Sequence, residues 1–129
     1  MPSSAANGLL QGLNVLVVED NYLQAEQIRL CLVDAGAIVH GPAVKLEETA
    51  ELISMNGVDT AVIDINLGDG PDFDVAGHLL RANLPFMFVT GYNCRELPEE
   101  FKHISCLQKP FLDVHLVRAL VNIGTKLRP

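Results

Sequence analysis

No apolar run in this chain approaches the roughly 18 residues that a membrane-spanning helix needs, so the sequence reads as having no transmembrane segment. Basic residues are scarce. Nine Lys plus Arg stand against sixteen Asp plus Glu, a net charge of -7, which argues against a direct hold on nucleic acid, because phosphate binding needs a basic surface. Cysteines are few and odd in number: Cys31, Cys94 and Cys106 are widely spaced, match no zinc pattern and outline no evident disulfide framework. They suit a reducing, cytoplasmic setting. No basic residue precedes an apolar stretch in Met1–Gly8, so no signal peptide is expected. Repeats, low-complexity tracts and an internal linker are also missing. What remains is one domain: 129 residues, 49% hydrophobic and 19% charged, enough to bury a core without covalent or metal staples.

Short apolar runs alternate with amphipathic segments. Asn14-Val15-Leu16-Val17-Val18 is β-branched and continuous, as a strand buried on both faces should be. Asn21 is placed to cap a helix whose Ala25, Ile28, Leu32 and Ala35 recur at helical spacing, and Gly36 ends it. Residues 37–43, 60–65, 85–90 and 104–107 read as further strands, and residues 46–55, 73–82 and 111–127 as further helices. Residues 93–102 make a short helix at best, because Pro98 interrupts them. Residues 1–12 read as a loose, flexible tail and residues 13–127 as the domain. Five strands alternating with five helices predict an α/β fold, a doubly wound parallel sheet covered on both faces. The size fits the flavodoxin-like strand order 2-1-3-4-5.

In such sheets ligands bind beyond the carboxyl ends of the strands. The first strand runs into Glu19-Asp20, the third into Asp64, the fourth into Thr90, and the fifth is followed by Lys109-Pro110. Three carboxylates gathered on one edge repel each other unless a cation intervenes, and hard oxygen donors suit Mg²⁺ or Mn²⁺. Lys109 adds a compact positive charge and Thr90 a hydroxyl donor for phosphoryl oxygens. An Asp carboxylate is a competent nucleophile towards phosphorus.

The stretches Val15-Leu16-Val17-Val18-Glu19-Asp20-Asn21, Val62-Ile63-Asp64-Ile65-Asn66-Leu67, Phe88-Val89-Thr90-Gly91-Tyr92 and Gln108-Lys109-Pro110-Phe111 together resemble a response-regulator receiver domain of two-component signalling. The resemblance runs from about Asn14 to about Lys126. It implies that Asp64 accepts a phosphoryl group from a histidine kinase. Glu19, Asp20 and Asp64 would hold Mg²⁺ with the backbone carbonyl of Asn66, while Thr90, Lys109 and the Gly91 amide would face the phosphoryl oxygens. It implies that Asn66 and Tyr92 tune hydrolysis and that the Lys109-Pro110 bond is cis. The resemblance departs at Cys106, where most receivers carry the aromatic ring that swings when the threonine moves. The run ending in Thr90-Gly91-Tyr92 is similar to a Phe-Ala-Thr-Gly-Tyr subgroup that lacks this ring, often stands alone and accompanies kinases of the HWE type. In place of a swinging ring, the charged segment Asn93–Glu100, with few apolar anchors, is expected to reorder on phosphorylation.

The resulting expectation is a cytoplasmic, single-domain phosphoacceptor that modifies itself without being a turnover enzyme. It would signal through an unidentified protein partner as a monomer or a phosphorylation-dependent dimer. A phosphorylation-independent adaptor with the same fold is the alternative. A Mg²⁺-dependent phosphatase would want a second Asp where Asn66 stands, and a flavin protein would want a Ser/Thr-rich first loop. The histidines (His40, His78, His103, His115) form no metal spacing, and Cys94 and Cys106 read as incidental thiols unless they sense redox state.

Overall fold

The computed structural model describes residues 8–127, with the backbone alone for residues 124–127. Five strands, β1 (Asn14–Val18), β2 (Ile38–Ala43), β3 (Thr60–Ile63), β4 (Phe86–Thr90) and β5 (Cys106–Gln108), form one parallel sheet in the order β2-β1-β3-β4-β5. Four α-helices connect and close it: α1 (Tyr22–Asp34), α2 (Leu46–Asn56), α3 (Asp74–Arg81) and α4 (Asp113–Leu127). This is the flavodoxin-like arrangement expected from the alternating pattern. The helix count differs by one. Between β4 and β5 the chain makes two 3₁₀ turns, Cys94–Glu96 and Glu99–Phe101, instead of a fifth α-helix. Pro98 sits between them, where it supplies no N–H and disfavours helical backbone at the residue before it.

Alternation along the strands splits the interior into two layers. Val15, Val17, Val62, Met87 and Val89 point to one face and pack with Ile28 and Leu32 of α1 and Leu116, Val117 and Leu120 of α4. Leu16, Val18, Ala61, Ile63, Phe86 and Phe88 point to the other face, with Val75 and Leu79 of α3. Each fully buried side chain of this size contributes about 1.5–3 kcal/mol, so a sheet covered on both faces fixes its own register. α1 starts where Asn21 predicts: its side-chain oxygen accepts from the Gln24 N–H at 3.0 Å. On α4, Leu116, Val117 and Leu120 face inward and Val114 is exposed, as is Leu112 just before the helix.

The loose tail expected over residues 1–12 does not hold for residues 8–12; residues 1–7 lie outside the described residues. Leu10 is buried with Leu13 in the α1/α4 layer, its N–H bonds to the Ala35 carbonyl, and the Gly12 N–H bonds to the Gly36 carbonyl. Two leucines spaced by three residues close the amino-terminal edge of the sheet, a role that a small, polar-looking segment conceals.

Candidate functional site

The chemistry-bearing residues sit one step beyond the strands, and backbone bonds extend the ladder to hold them there. The Glu19 N–H donates to the Ala43 carbonyl at 3.0 Å, the Asp64 N–H to the Val18 carbonyl at 2.9 Å, and the Lys109 N–H to the Thr90 carbonyl at 2.8 Å. β3 ends at Ile63, so Asp64 leads into the Asn66–Pro71 turn. Its backbone is therefore fixed by the sheet, and its carboxylate is oriented by Lys109 and by the loop that follows.

Lys109 is the centre of the site. Its Nζ donates to Glu19 Oε1 at 2.7 Å, to Asp64 Oδ2 at 3.0 Å and to the side-chain oxygen of Gln24 on α1. The Lys109-Pro110 peptide is cis, as the resemblance implies, and Gly41-Pro42 is a second cis bond that the sequence did not announce. The other Asp64 oxygen, Oδ1, accepts from the Asn66 N–H at 3.0 Å. Glu19 Oε2 accepts from the Asn21 N–H at 3.1 Å, and its side chain is almost wholly buried.

Burial pushes the Glu19 carboxyl above its ordinary range; the bonds from Lys109 and Asn21 oppose that shift, and the charge of Asp64 adds to it. Burial works against the charged form of Lys109, but hydrogen bonds and attraction to Glu19 and Asp64 outweigh it, and the amine stands above its ordinary value.

Asp20 faces the loop after Asp64: its Oδ2 accepts from the Gly68 N–H at 2.7 Å. Glu19 and Asp64 thus meet through one ammonium and Asp20 stands beside them. Among the described residues no three His, Cys, Asp or Glu side chains are clustered as metal ligands. The sequence expectation that Glu19, Asp20 and Asp64 close around an ion is therefore not drawn in this arrangement, because Lys109 fills the position between two of them. The donor set still fits a hard divalent cation by type: Glu19, Asp20 and Asp64 are carboxylates on one edge of the sheet, and a single ammonium contacts two of them.

On the β4 side, Thr90 is fully buried and its hydroxyl oxygen accepts from the Tyr92 N–H at 3.1 Å. Gly91 borders the Asn66 side chain; a Cβ there would lie 3.8 Å from its Nδ2. Tyr92 is pinned by its hydroxyl, which donates to the Glu96 carbonyl at 3.3 Å, and by an edge-on contact with Phe73.

The structure adds anchors to the following segment and corrects one expectation about it. Asn93–Glu100 and the residues just after it are anchored: Leu97 and Phe101 are buried, and the Phe101 ring stacks on Phe73 with centroids 5.4 Å apart. Cys94 and Cys106, read from sequence as incidental thiols outside any disulfide framework, are bonded to each other, with Cα atoms 5.9 Å apart. The position of the expected swinging ring is thus one end of a covalent tie. Spacing alone did not show this pairing, because it depends on how the chain between β4 and β5 doubles back.

No family model matches this chain. Over 112 residues, 84% of this chain, it is 29% identical to the sensory transduction protein LytT of Bacillus anthracis; the match spans 46% of that protein, so the chain covers less than half of it. Among solved structures it resembles the receiver (REC) domain of the response regulator PhyR from Erythrobacter litoralis, with a TM-score of 0.78 at 23% identity, covering 92% of this chain and 94% of that one. It also resembles the HemR receiver domain from Leptospira biflexa, with a TM-score of 0.75 at 27% identity over 91% and 98% of the two chains. SdrG from Sphingomonas melonis Fr1 gives a TM-score of 0.73 at 26% identity over 94% and 99%. With its strand order, the chain has the receiver-domain fold of response regulators.

Proposed function

We propose that this chain is a single-domain response regulator that accepts a phosphoryl group on Asp64 from a histidine kinase. The observation that carries this reading is the setting of Asp64. One carboxylate oxygen lies 3.0 Å from the Lys109 amine and the other is oriented by the Asn66 N–H, at the carboxyl edge of a parallel sheet beside the Thr90 strand end.

In the transfer, an Asp64 oxygen bonds to phosphorus as the P–N bond of the kinase phosphohistidine breaks, and the ring nitrogen keeps the electron pair. Lys109 offsets the charge on the phosphoryl oxygens, and the Thr90 hydroxyl turns to donate to one of them. Glu19, Asp20, Asp64 and the Asn66 carbonyl are the residues that would hold Mg²⁺, or Mn²⁺, which when bound supplies the positive charge that phosphoryl transfer requires. The Gly91 amide serves as a further contact, and Asn66 and Tyr92 flank the acyl phosphate and tune its hydrolysis. The chain catalyses its own modification and is not a turnover enzyme. Resemblance to the subgroup without a switch aromatic favours a kinase of the HWE type.

Partner binding has surface to use. Tyr22, Leu23 and Leu112 are exposed, each two or three residues after Asp20 or Lys109 in the sequence. None of the described helices is long and apolar enough to cross a membrane. We place the chain in the cytoplasm, reading the output as protein binding by a monomer or a phosphorylation-dependent dimer.

The test is incubation of the full chain with Mg²⁺ and acetyl phosphate, followed by intact mass. A labile phosphoryl adduct that Asp64→Asn abolishes supports the reading. Continuous hydrolysis of generic phosphate esters favours a phosphatase instead. A folded chain that forms no adduct is a phosphorylation-independent adaptor.

A further inference from the structure

The crossover between β4 and β5 contains a cysteine pair that the phosphoryl chemistry leaves unused. Cys94 follows Thr90 by four residues, and Cys106 precedes Lys109 by three. The bond between them joins the chain leaving one phosphoryl-facing residue to the chain entering the other. The ladder runs through the same place: Phe88 pairs with Cys106, Thr90 pairs with Gln108, and the Cys94 N–H donates to Gln108 Oε1 at 3.2 Å. Cys94 and Cys106 are each partly exposed, Cys106 packing in part against the α3-side layer. Cys31 is different. It is buried, and burial, with Asp113 nearby, pushes its thiol up to about 12, which keeps it out of thiol exchange.

We propose that Cys94 and Cys106 form a thiol–disulfide exchange site, worked by a small thiol/disulfide couple of the glutathione class, that fixes or frees the Gly91–Glu96 stretch beside the phosphoryl site. In oxidation, one cysteine thiolate attacks a sulfur of the small disulfide and expels one small thiolate. The second cysteine then displaces the remaining small thiol and closes the Cys94–Cys106 bond. Two protons leave the protein thiols, and two electrons pass to the small disulfide, which ends as two thiols. Reduction is the reverse, driven by two small thiols.

The anchors show how far the effect reaches. Leu97 and Phe101 are buried among apolar side chains, so opening the bond leaves the far half of the crossover in place. The near half loses its covalent tie to β5 and keeps polar contacts, among them the Cys94 N–H bond to Gln108, and the packing of the Tyr92 ring. Tyr92 belongs to this near half and donates its N–H to the Thr90 hydroxyl oxygen, so the state of the bond reaches Thr90. The link to phosphorylation rests on the reading of Asp64 as phosphoacceptor; the thiol chemistry does not.

The full chain is equilibrated in glutathione buffers from fully oxidised to fully reduced, alkylated, and weighed. Reduction should open Cys94 and Cys106 to labelling while Cys31 stays protected until the protein is denatured. Amide exchange at residues 91–96 should rise about tenfold in the reduced form and stay level in α1 and β1, as a local opening requires. Cys94→Ser should behave like the reduced chain in every buffer. Phosphoryl uptake from acetyl phosphate should differ severalfold between the oxidised and reduced chains and lose that dependence in Cys94→Ser. Absence of the bond at every glutathione ratio overturns the proposal, as does identical exchange in both states. Equal uptake in the two states overturns the link to Asp64. If neither state takes up phosphate, the receiver reading fails, and an exchange difference that tracks the bond still supports the thiol site.

Discussion

The two sides of the site are held in different ways. On the β1/β3 side, Glu19 and Asp64 grow directly out of fully buried strands and are fixed by the backbone ladder and by one shared ammonium. On the β4/β5 side, Thr90 and Lys109 are joined by a crossover with no α-helix, secured by a disulfide, a stacked ring pair and a few side-chain bonds. The first side resists change because loosening it disrupts the core. The second depends on a few discrete ties, although two of them reach the sheet through Cys106 of β5 and Phe88 of β4. On the proposed reading of Asp64 as phosphoacceptor, holding the carboxylate and reporting its modification fall to different sides of the site.

Substitutions can test that division. The largest expected effect is Phe101→Ala, which removes a ring wedged against Phe73 and Phe88 and should cost about 4 kcal/mol in urea unfolding. If the cost is below about 1 kcal/mol, the crossover is not anchored as described. Reducing the Cys94–Cys106 bond releases a loop closure of twelve residues' separation and should lower unfolding free energy by about 3 kcal/mol at most, with denaturant curves compared with and without dithiothreitol.

Lys109→Met leaves Glu19 and Asp64 facing each other. Breaking buried pairs costs about 3–5 kcal/mol, and the amine's partial exposure brings the expected loss to about 2. The loss should shrink in mild acid, where Glu19 takes up a proton, and when Mg²⁺ is added; an undiminished loss under both conditions would show that the carboxylates do not repel. Asn21→Ala removes the α1 cap and should cost about 1 kcal/mol with phosphoryl uptake unchanged.

The smallest effect is with pH. The folded-state pKa of Lys109 is raised, so its contribution is complete below the ordinary lysine value and is lost as pH climbs through the raised one. Thermal melts from pH 9 upward should show a decline that Lys109→Met lacks.

The sheet was legible because β1, β3 and β4 are near-continuous apolar runs rich in β-branched or aromatic residues, as strands of a doubly covered parallel sheet are. The site followed because polar residues stand where those runs stop. Two features were illegible. Leu10 looks like part of a polar leader until the turn at Gly12 folds it under α1, and a lone leucine carries no periodicity. Cys94 and Cys106 become neighbours through the pairing of β4 with β5 and a crossover built of two 3₁₀ turns, and neither leaves a regular signature in residue spacing.

The amino-terminal turn has a practical consequence for anyone who works with fragments. A shortened clone starting at Asn14, which strand prediction would recommend, discards Leu10 and Leu13 and unplugs the floor beneath α1 and α4. Starting at Gly8 keeps that plug, so expression boundaries and affinity tags belong ahead of it.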